Sequence, residues 1–364
     1  MTVQDIANAL EEIAPQPYAE SFDNVGLLIG NSKQTVSKAL LTLDCTEEVV
    51  EEAIQKKANL IITFHPIIFK GLKRITGKNY VERVVLKAIK HDISIYAIHT
   101  NLDFAWQGSN KKLCDILDLS DIKILIPKEN TIKKLTFYVP IDSTEKVRDA
   151  LFSIGAGSIG NYDHCSFNIE GMGSFKGNKE SNPTLGKKEM LHFEKETAVN
   201  MTFPWYLEHR IVSTLKKVHP YEEVAYEITS LDNINQHIGI GMYGNLPKPM
   251  DEHEFLAFVK EKLPTDCIRH SKLTGKTIQK IAVLGGSGSF GLEQAKRVEA
   301  DAYISGDFKY HEFFSSENQI LICDIGHYES EQFIKSLLYD VLTKKFTNFA
   351  FALSEVNTNP VNYY

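Results

Sequence analysis

The apolar, β-branched runs "NLIITFH", "ISIYAIHT", "QILICDIGH" and "KALLTLD" each finish at or beside a side chain that can hold a metal: His65, His99, His327 and Asp44. Glu331 stands one helical turn beyond His327 in "DIGHYESEQF", and Asp103 one turn beyond His99 in "HTNLDFA". In open α/β sheets ligands bind outside the carboxyl ends of the strands, so these residues share the address where a site forms. Imidazoles and carboxylates are the ligands taken by borderline divalent cations such as Zn, Fe, Mn, Co or Ni. Such a cation lowers the pKa of water and polarises the bond that the water attacks.

Each residue also has an ordinary structural role open to it. A histidine ending a strand is commonly a hydrogen-bonded cap, Glu331 in a first helical turn would offset the helix dipole, and Asp44 and Asp103 can cap helices or turns. Their convergence on equivalent strand ends, from opposite ends of the chain, favours a metal site.

The elements that must position them are legible in the periodicity. Over the first 125 or so residues strands and helices alternate: "KALLTLD", the helix "TEEVVEEAIQKKA" capped by Asp44 or Thr46, "NLIITFH", the helix "YVERVVLKAIKH" and "ISIYAIHT". Alternation of this kind predicts a parallel sheet with helices on its faces. From about Thr131 to Ser230 the order becomes β-α-β-β-α-β ("KKLTFYVP", "STEKVRDALFSIG", "CSFNIEGMGSF", "MLHFEKETAVNMTF", "PWYLEHRIVSTLKKV", "EVAYEITSL"), the ferredoxin-like unit, with "KGNKESNPTLGKK" as an exposed hairpin loop. After Gln236 the α/β alternation resumes. The predicted fold is therefore an α/β domain in two halves, 1–128 and 234–364, split by an inserted ferredoxin-like α+β module at 129–233.

Composition narrows the class. With 43% hydrophobic and 24% charged residues, the 364-residue chain reads as a globular protein of more than one domain. A net charge of -7 and the lack of any nucleic-acid motif argue against nucleic acid as a partner. The amphipathic, acidic start "MTVQDIANALEEIAP" does not read as a signal peptide, and no run reaches the roughly 18 apolar residues of a membrane span. Cys45, Cys114, Cys165, Cys267 and Cys323 are scattered, without C-x-x-C spacing, so neither a disulfide framework nor a zinc knuckle is suggested. The cytoplasm is the expected compartment.

A rival chemistry sits in "GGSGSFG". Gly286, Gly288 and Gly291 spell G-x-G-x-x-G after a strand, with Asp307 ending the next strand where a ribose-binding acid would stand. The pattern fits a tight strand-to-helix turn better, or a turn whose N–H groups receive a phosphate; the dinucleotide reading leaves the histidines unexplained. Asp307 and His311 in "GDFKYHE" are candidate proton carriers, or else a strand-end cap and a helix-surface histidine. His219 in "HPYEEV" reads as a turn residue of the inserted module.

The blocks "SFDNVGLLIG", "ITFHPIIFKGLK", "HTNLDFA", "HPYEEVAYEI", "GGSGS", "SGDFKYHE" and "DIGHYESE" together resemble, in order, those of the NIF-three-like family, whose members are commonly labelled GTP cyclohydrolase 1 type 2 homologues. The resemblance covers nearly the whole chain. It implies that the insert is similar to PII and CutA folds, as in long bacterial members, and that the protein forms a toroidal homohexamer with paired divalent metal ions, one or two per chain. It further implies that His65 and Asp103 hold one ion, His327 the second, and Glu331 bridges them, with His99 an additional ligand or a group just behind. The family usually has two adjacent histidines before the proline, and here the first position is Phe64. A phenyl ring cannot coordinate a cation, so one firm site and one weak or empty site are expected, the loss falling on the ion shared by His327 and Glu331. The implied activity is metal-dependent hydrolysis of a small, nucleotide-like substrate; opening of a GTP ring does not follow from these residues. The competing class is a non-catalytic metal-binding, metal-delivery or regulatory ring protein.

Overall fold

The strands Ala39–Thr42, Leu60–Thr63 and Ser94–Ala97 are short and buried at every residue. Such strands survive only with both faces covered, and a parallel sheet between helices provides that. The structure, a computed structural model, describes residues 1–364. It divides into two compact units, Met1–Pro127 with Gln236–Tyr364, and Lys128–Asn235.

The first unit holds two sheets. One runs in the order Gly26–Ile29, Ser94–Ala97, Leu60–Thr63, Ala39–Thr42, Phe351–Leu353, with all neighbours parallel except the first pair. On one face the helices Glu47–Gln55 and Tyr80–Lys90 bring Val49, Ala53, Val84 and Ala88 against Leu40, Ile61 and Ile95. Thr46 is the cap of the first of these helices, its side chain accepting from the Val49 N–H, and Asn79 caps the second in the same way. On the other face the helices Val3–Ile13 and Ile334–Lys345 bury Ile6, Leu10, Leu338 and Leu342 against Leu41, Ile62 and Phe64. Each such aliphatic side chain contributes roughly 1.5–3 kcal/mol when fully buried.

The second sheet runs Arg269–His270, Leu321–Asp324, Ala302–Gly306, Ile278–Ser287, Gly239–Met250, Ser120–Pro127. Leu321–Asp324, Ala302–Gly306 and Ile278–Ser287 are parallel to one another. Ser120–Pro127 leaves toward the inserted segment and Gly239–Met250 returns beside it antiparallel, with Gly239 opposite Pro127. The excursion therefore begins and ends on adjacent strands of one sheet. Short strands at the sheet edges, Gly26–Ile29 and Phe351–Leu353, were not among those expected from periodicity, being too short to show a period.

The second unit has the element order β-α-β-β-α-β and one antiparallel sheet, Phe167–Lys176, Leu191–Pro204, Ile132–Pro140, Tyr226–Leu231. Its helices Thr144–Phe152 and Glu208–Val218 bury Val147, Leu151, Ile211 and Leu215 against Phe137, Val199 and Phe203. No helix of the chain is long and apolar enough to cross a membrane.

Candidate metal centre

The turns that follow the parallel strands are built by buried side chains. Thr63, fully buried, donates its hydroxyl to the carbonyls of Leu43 and His65 at 3.0 Å each, and the ladder continues past the strand end as His65 N–H donates to Leu43 O at 3.0 Å. Thr42 in the same way donates to Asp44 O at 2.8 Å. His65 and Asp44 are thus presented side by side at the carboxyl edge of the first sheet.

On the second sheet the strand Leu321–Asp324 turns through Gly326, at φ 95°, into the short helix His327–Glu331. At this positive φ glycine is favoured, and a Cβ at Gly326 would also lie 2.1 Å from Glu329 Oε2. One helical turn separates His327 from Glu331 and puts both on one face.

These elements gather His65, His327 and Glu331, whose ligand atoms all lie within 4.8 Å of one another. His65 Nε2 and His327 Nε2 each stand 3.1 Å from Glu331 Oε2 and 3.4 Å from one another. The Nδ1 atoms face away, His65 toward Asp44 Oδ1 at 2.8 Å and His327 toward Asp307 Oδ2 at 2.7 Å. A carboxylate on Nδ1 fixes the tautomer with its proton there and leaves the Nε2 lone pair for a ligand. Glu331 Oε2 is itself buried and receives no hydrogen bond despite its two close imidazoles. Once the Nε2 atoms give up their protons, three electron-pair donors converge on one point, the arrangement that a cation satisfies and that otherwise leaves a buried carboxylate oxygen unpaired.

The electrostatics agree. Burial by itself would lower the His65 pKa, but Asp44 and Glu331 outweigh it and push it up to about 10. Burial opposes the charge of His327 as well, and Glu331 and Asp307 push it up to about 9. Burial disfavours the Glu331 carboxylate, yet the neighbouring imidazoles pull it down to about 2. The pocket holds positive charge strongly, as protons in the metal-free chain.

Asp103 and His99 lie on the helix Thr100–Phe104 and at its start. His99 Nδ1 stands 2.9 Å from Asp23 Oδ1, and the ring centroids of His99 and His65 are 5.2 Å apart. Asp23, which periodicity does not single out, has a buried carboxylate that also accepts from Thr100 N–H and Oγ1; burial opposes its charge, and these bonds pull it down to about 2. Asp103 is buried and accepts from the Ser109 hydroxyl; burial raises its pKa to about 6, with His99 drawing it down and Glu331 pushing it up. In the metal-free chain His65 closes on His327 and Glu331, and Asp103, which the resemblance pairs with His65, is not among the ligand atoms of that trio. Phe64 is fully buried, its ring centroid 5.0 Å from that of His65 and 5.2 Å from that of His99.

The glycine loop belongs to the same centre. Gly286, at φ 69°, donates its N–H to Ser330 Oγ at 2.8 Å, and a Cβ there would lie 2.4 Å from Glu331 Oε1. At Gly288 and Gly291 a Cβ would meet Ser305 Oγ at 2.1 Å and Tyr303 OH at 2.4 Å. The G-x-G-x-x-G spacing here serves close packing of a strand-to-helix turn. Asp307, at a left-handed φ of 59°, is held where its carboxylate meets His327. His311 is exposed and packs edge-on to Tyr310. His219 is a turn residue of the second unit, its Nε2 donating to Tyr138 O at 3.0 Å and its Nδ1 accepting from Tyr221 N–H at 3.1 Å.

A cavity of about 530 Å³ opens beside His65 and His327. Asp44, Asp307, Asp324 and Glu329 line it together with Tyr328, Tyr363 and one guanidinium, that of Arg269. Arg269 is tied from behind by Asp324 and by Phe308 O at 2.7 Å.

Residues 1–360 match the model of the family described as Duf34/NIF3 (NGG1p interacting factor 3). A Bacillus subtilis protein named GTP cyclohydrolase 1 type 2 homolog is 38% identical, the alignment covering 99% of this chain and 98% of the relative. The crystal structure of a Bacillus cereus protein related to NIF3 superposes with a TM-score of 0.84 at 35% identity, covering 100% of this chain and 99% of that one. A Staphylococcus aureus protein of known structure superposes with a TM-score of 0.80 at 30% identity, again over 100% and 99%.

Proposed function

This chain belongs to the Duf34/NIF3 family, and from that premise we propose that it binds a divalent cation between His65, His327 and Glu331 and serves as a metal-dependent hydrolase of a small, nucleotide-like substrate. The observation that carries the reading is the buried, unbonded Oε2 of Glu331 facing two imidazole Nε2 atoms at 3.1 Å. The donor set, two neutral imidazoles and a carboxylate, suits Zn, Fe, Mn, Co or Ni. A bound cation supplies Lewis acidity and a lowered pKa for water.

The chain's own groups do the rest. Asp44 and Asp307 hold the imidazole tautomers, and Gly286 leaves room for the Glu331 carboxylate. The adjoining cavity is of the size that admits a small ligand, and Arg269 on its wall can meet an anionic group. The relatives' name, GTP cyclohydrolase 1 type 2 homolog, points to a nucleotide.

We take Asp103 and His99 as ligands of a second ion that shares Glu331. The resemblance set the missing ligand on the ion shared by His327 and Glu331; because His65 closes on that pair and the Phe64 ring centroid lies 5.2 Å from that of His99, we assign the loss to the second ion instead, so that site is weak or empty. The PII/CutA-like kinship of the inserted module and a homohexameric assembly are parts of the same proposal, and light scattering in solution tests the latter. Turnover is tested by incubating cation-loaded protein with nucleotide and phosphoester panels beside Glu331→Gln. Product that disappears in the variant supports the hydrolase; binding without product points to a metal carrier.

A further inference from the structure

Asp44 is held at both oxygens. Oδ1 meets His65 Nδ1 at 2.8 Å, and Oδ2 accepts from Thr358 Oγ1 at 2.7 Å, a residue 314 positions away. Thr358 lies in the segment that follows the strand Phe351–Leu353. That segment is pinned at its start, where Ser354 Oγ and Glu355 N–H donate to the Glu52 carboxylate at 2.5 and 2.9 Å. It is pinned again where Asn359 Nδ2 donates to Glu329 Oε1 at 2.9 Å, on the helix that carries His327 and Glu331. Beyond that bond Pro360, Val361 and Tyr363 form a wall of the cavity.

Burial holds only the start of this segment, where Ser354 is buried and Val356 packs against the core of the first sheet. Val361 and Tyr363 are 54% and 47% exposed, so beyond Val356 the attachment rests on the polar bonds to Asp44 and Glu329. Segments attached by solvent-accessible hydrogen bonds and few apolar contacts open at low free-energy cost. The Asp44 side chain is itself 34% exposed, and without Thr358 water would take its second oxygen and its plane would be free to turn. The carboxylate behind a metal-bound histidine sets the ring's orientation and basicity, and losing such a partner typically weakens metal binding about 10–100-fold.

We infer that Thr358 is a positioning residue for the cation ligand His65, acting through Asp44, and that residues 354–363 are a strap whose docking and cation binding reinforce each other. The coupling is reciprocal: a cation that orders His65 and Asp44 tightens the strap, and a docked strap tightens the cation. The inference rests on the proposed cation site.

The test uses the full chain as wild type, Thr358→Val and Thr358→Ser, with Zn²⁺ competed against a chromophoric chelator and backbone hydrogen exchange read across 355–361. Thr358→Val is expected to bind Zn²⁺ about 10-fold more weakly, the low end for loss of such a partner. Thr358→Ser, which keeps the hydroxyl, retains wild-type affinity. Zn²⁺ slows exchange of the strap amides in wild type and slows it less in the valine variant. Equal affinity in wild type and Thr358→Val, with strap exchange indifferent to Zn²⁺, overturns this inference while leaving the cation site standing. Wild type that takes up no Zn²⁺ overturns both together.

Discussion

His65 and His327, 262 positions apart in the chain, bring their Nε2 atoms to 3.4 Å across the edges of two different sheets. With Asp44 and Asp307 on the Nδ1 sides, protonating both rings sets two Nε2 protons facing one another. A cation between them resolves the conflict. Replacing either imidazole by alanine, or Glu331 by glutamine, is expected to lower cation affinity by at least two orders of magnitude, more than loss of an outer partner does. Isothermal titration with Zn²⁺ or Co²⁺ measures it, and undiminished affinity in His327→Ala would remove the trio from the account.

Cation uptake carries a proton signature. His65 and His327 are pushed up to about 10 and about 9 in the metal-free chain, so near neutral pH both rings hold protons that a cation must displace. Affinity should rise with pH, and titration in buffers of different ionisation enthalpy should count protons released.

The same shifts set a stability trend. Both histidines have folded-state pKa values above the unfolded 6.5, so their contribution is fully present below pH 6.5 and is lost as pH rises through about 9 and 10. Glu331, pulled down to about 2 from 4.5, contributes above pH 4.5 and loses that contribution as pH falls toward 2. Thermal melts in chelator should show the melting temperature falling between pH 6.5 and 10 for wild type. His65→Ala should flatten that slope.

Gly286 tests the role of the glycine loop. Alanine there meets Glu331 Oε1 at 2.4 Å on a backbone with φ 69°. Gly286→Ala is expected to cost about 1–2 kcal/mol for the left-handed conformation alone and to displace the carboxylate. Cation affinity should drop while circular dichroism stays native; intact affinity would show that the loop does not shape the site.

Phe64→His restores an imidazole at a position whose ring lies against those of His65 and His99. Metal analysis after gel filtration is expected to rise from one tightly held equivalent per chain in wild type toward two in the variant. Two full equivalents in wild type would show that the phenyl ring does not weaken the second site.

Much of this was legible in the sequence because parallel strands are apolar throughout and their ends are marked by the first polar side chains. That pattern picked out His65, His99, His327 and Asp44 directly. Glu331 followed from helical spacing. Asp23 escaped notice because it lies in an irregular segment before the strand Gly26–Ile29, with no periodicity to flag it. Thr358 escaped for the same reason, its meaning arising only where a distant segment crosses Asp44. The glycine run was visible but ambiguous, since one spacing serves a phosphate, a dinucleotide or a buried carboxylate, and only the facing side chain decides. Periodicity alone does not give the partner of His65, because pairing across two sheets depends on their packing; only the resemblance tied it to Glu331.

The most direct test is a crystal of the protein grown with Co²⁺, with anomalous scattering collected above and below the cobalt edge. The account predicts a strong peak within coordination distance of His65 Nε2, His327 Nε2 and Glu331 Oε2, and a weak or absent one beside Asp103. Anomalous density elsewhere in the chain, with the trio left without an ion at saturating Co²⁺, would contradict it.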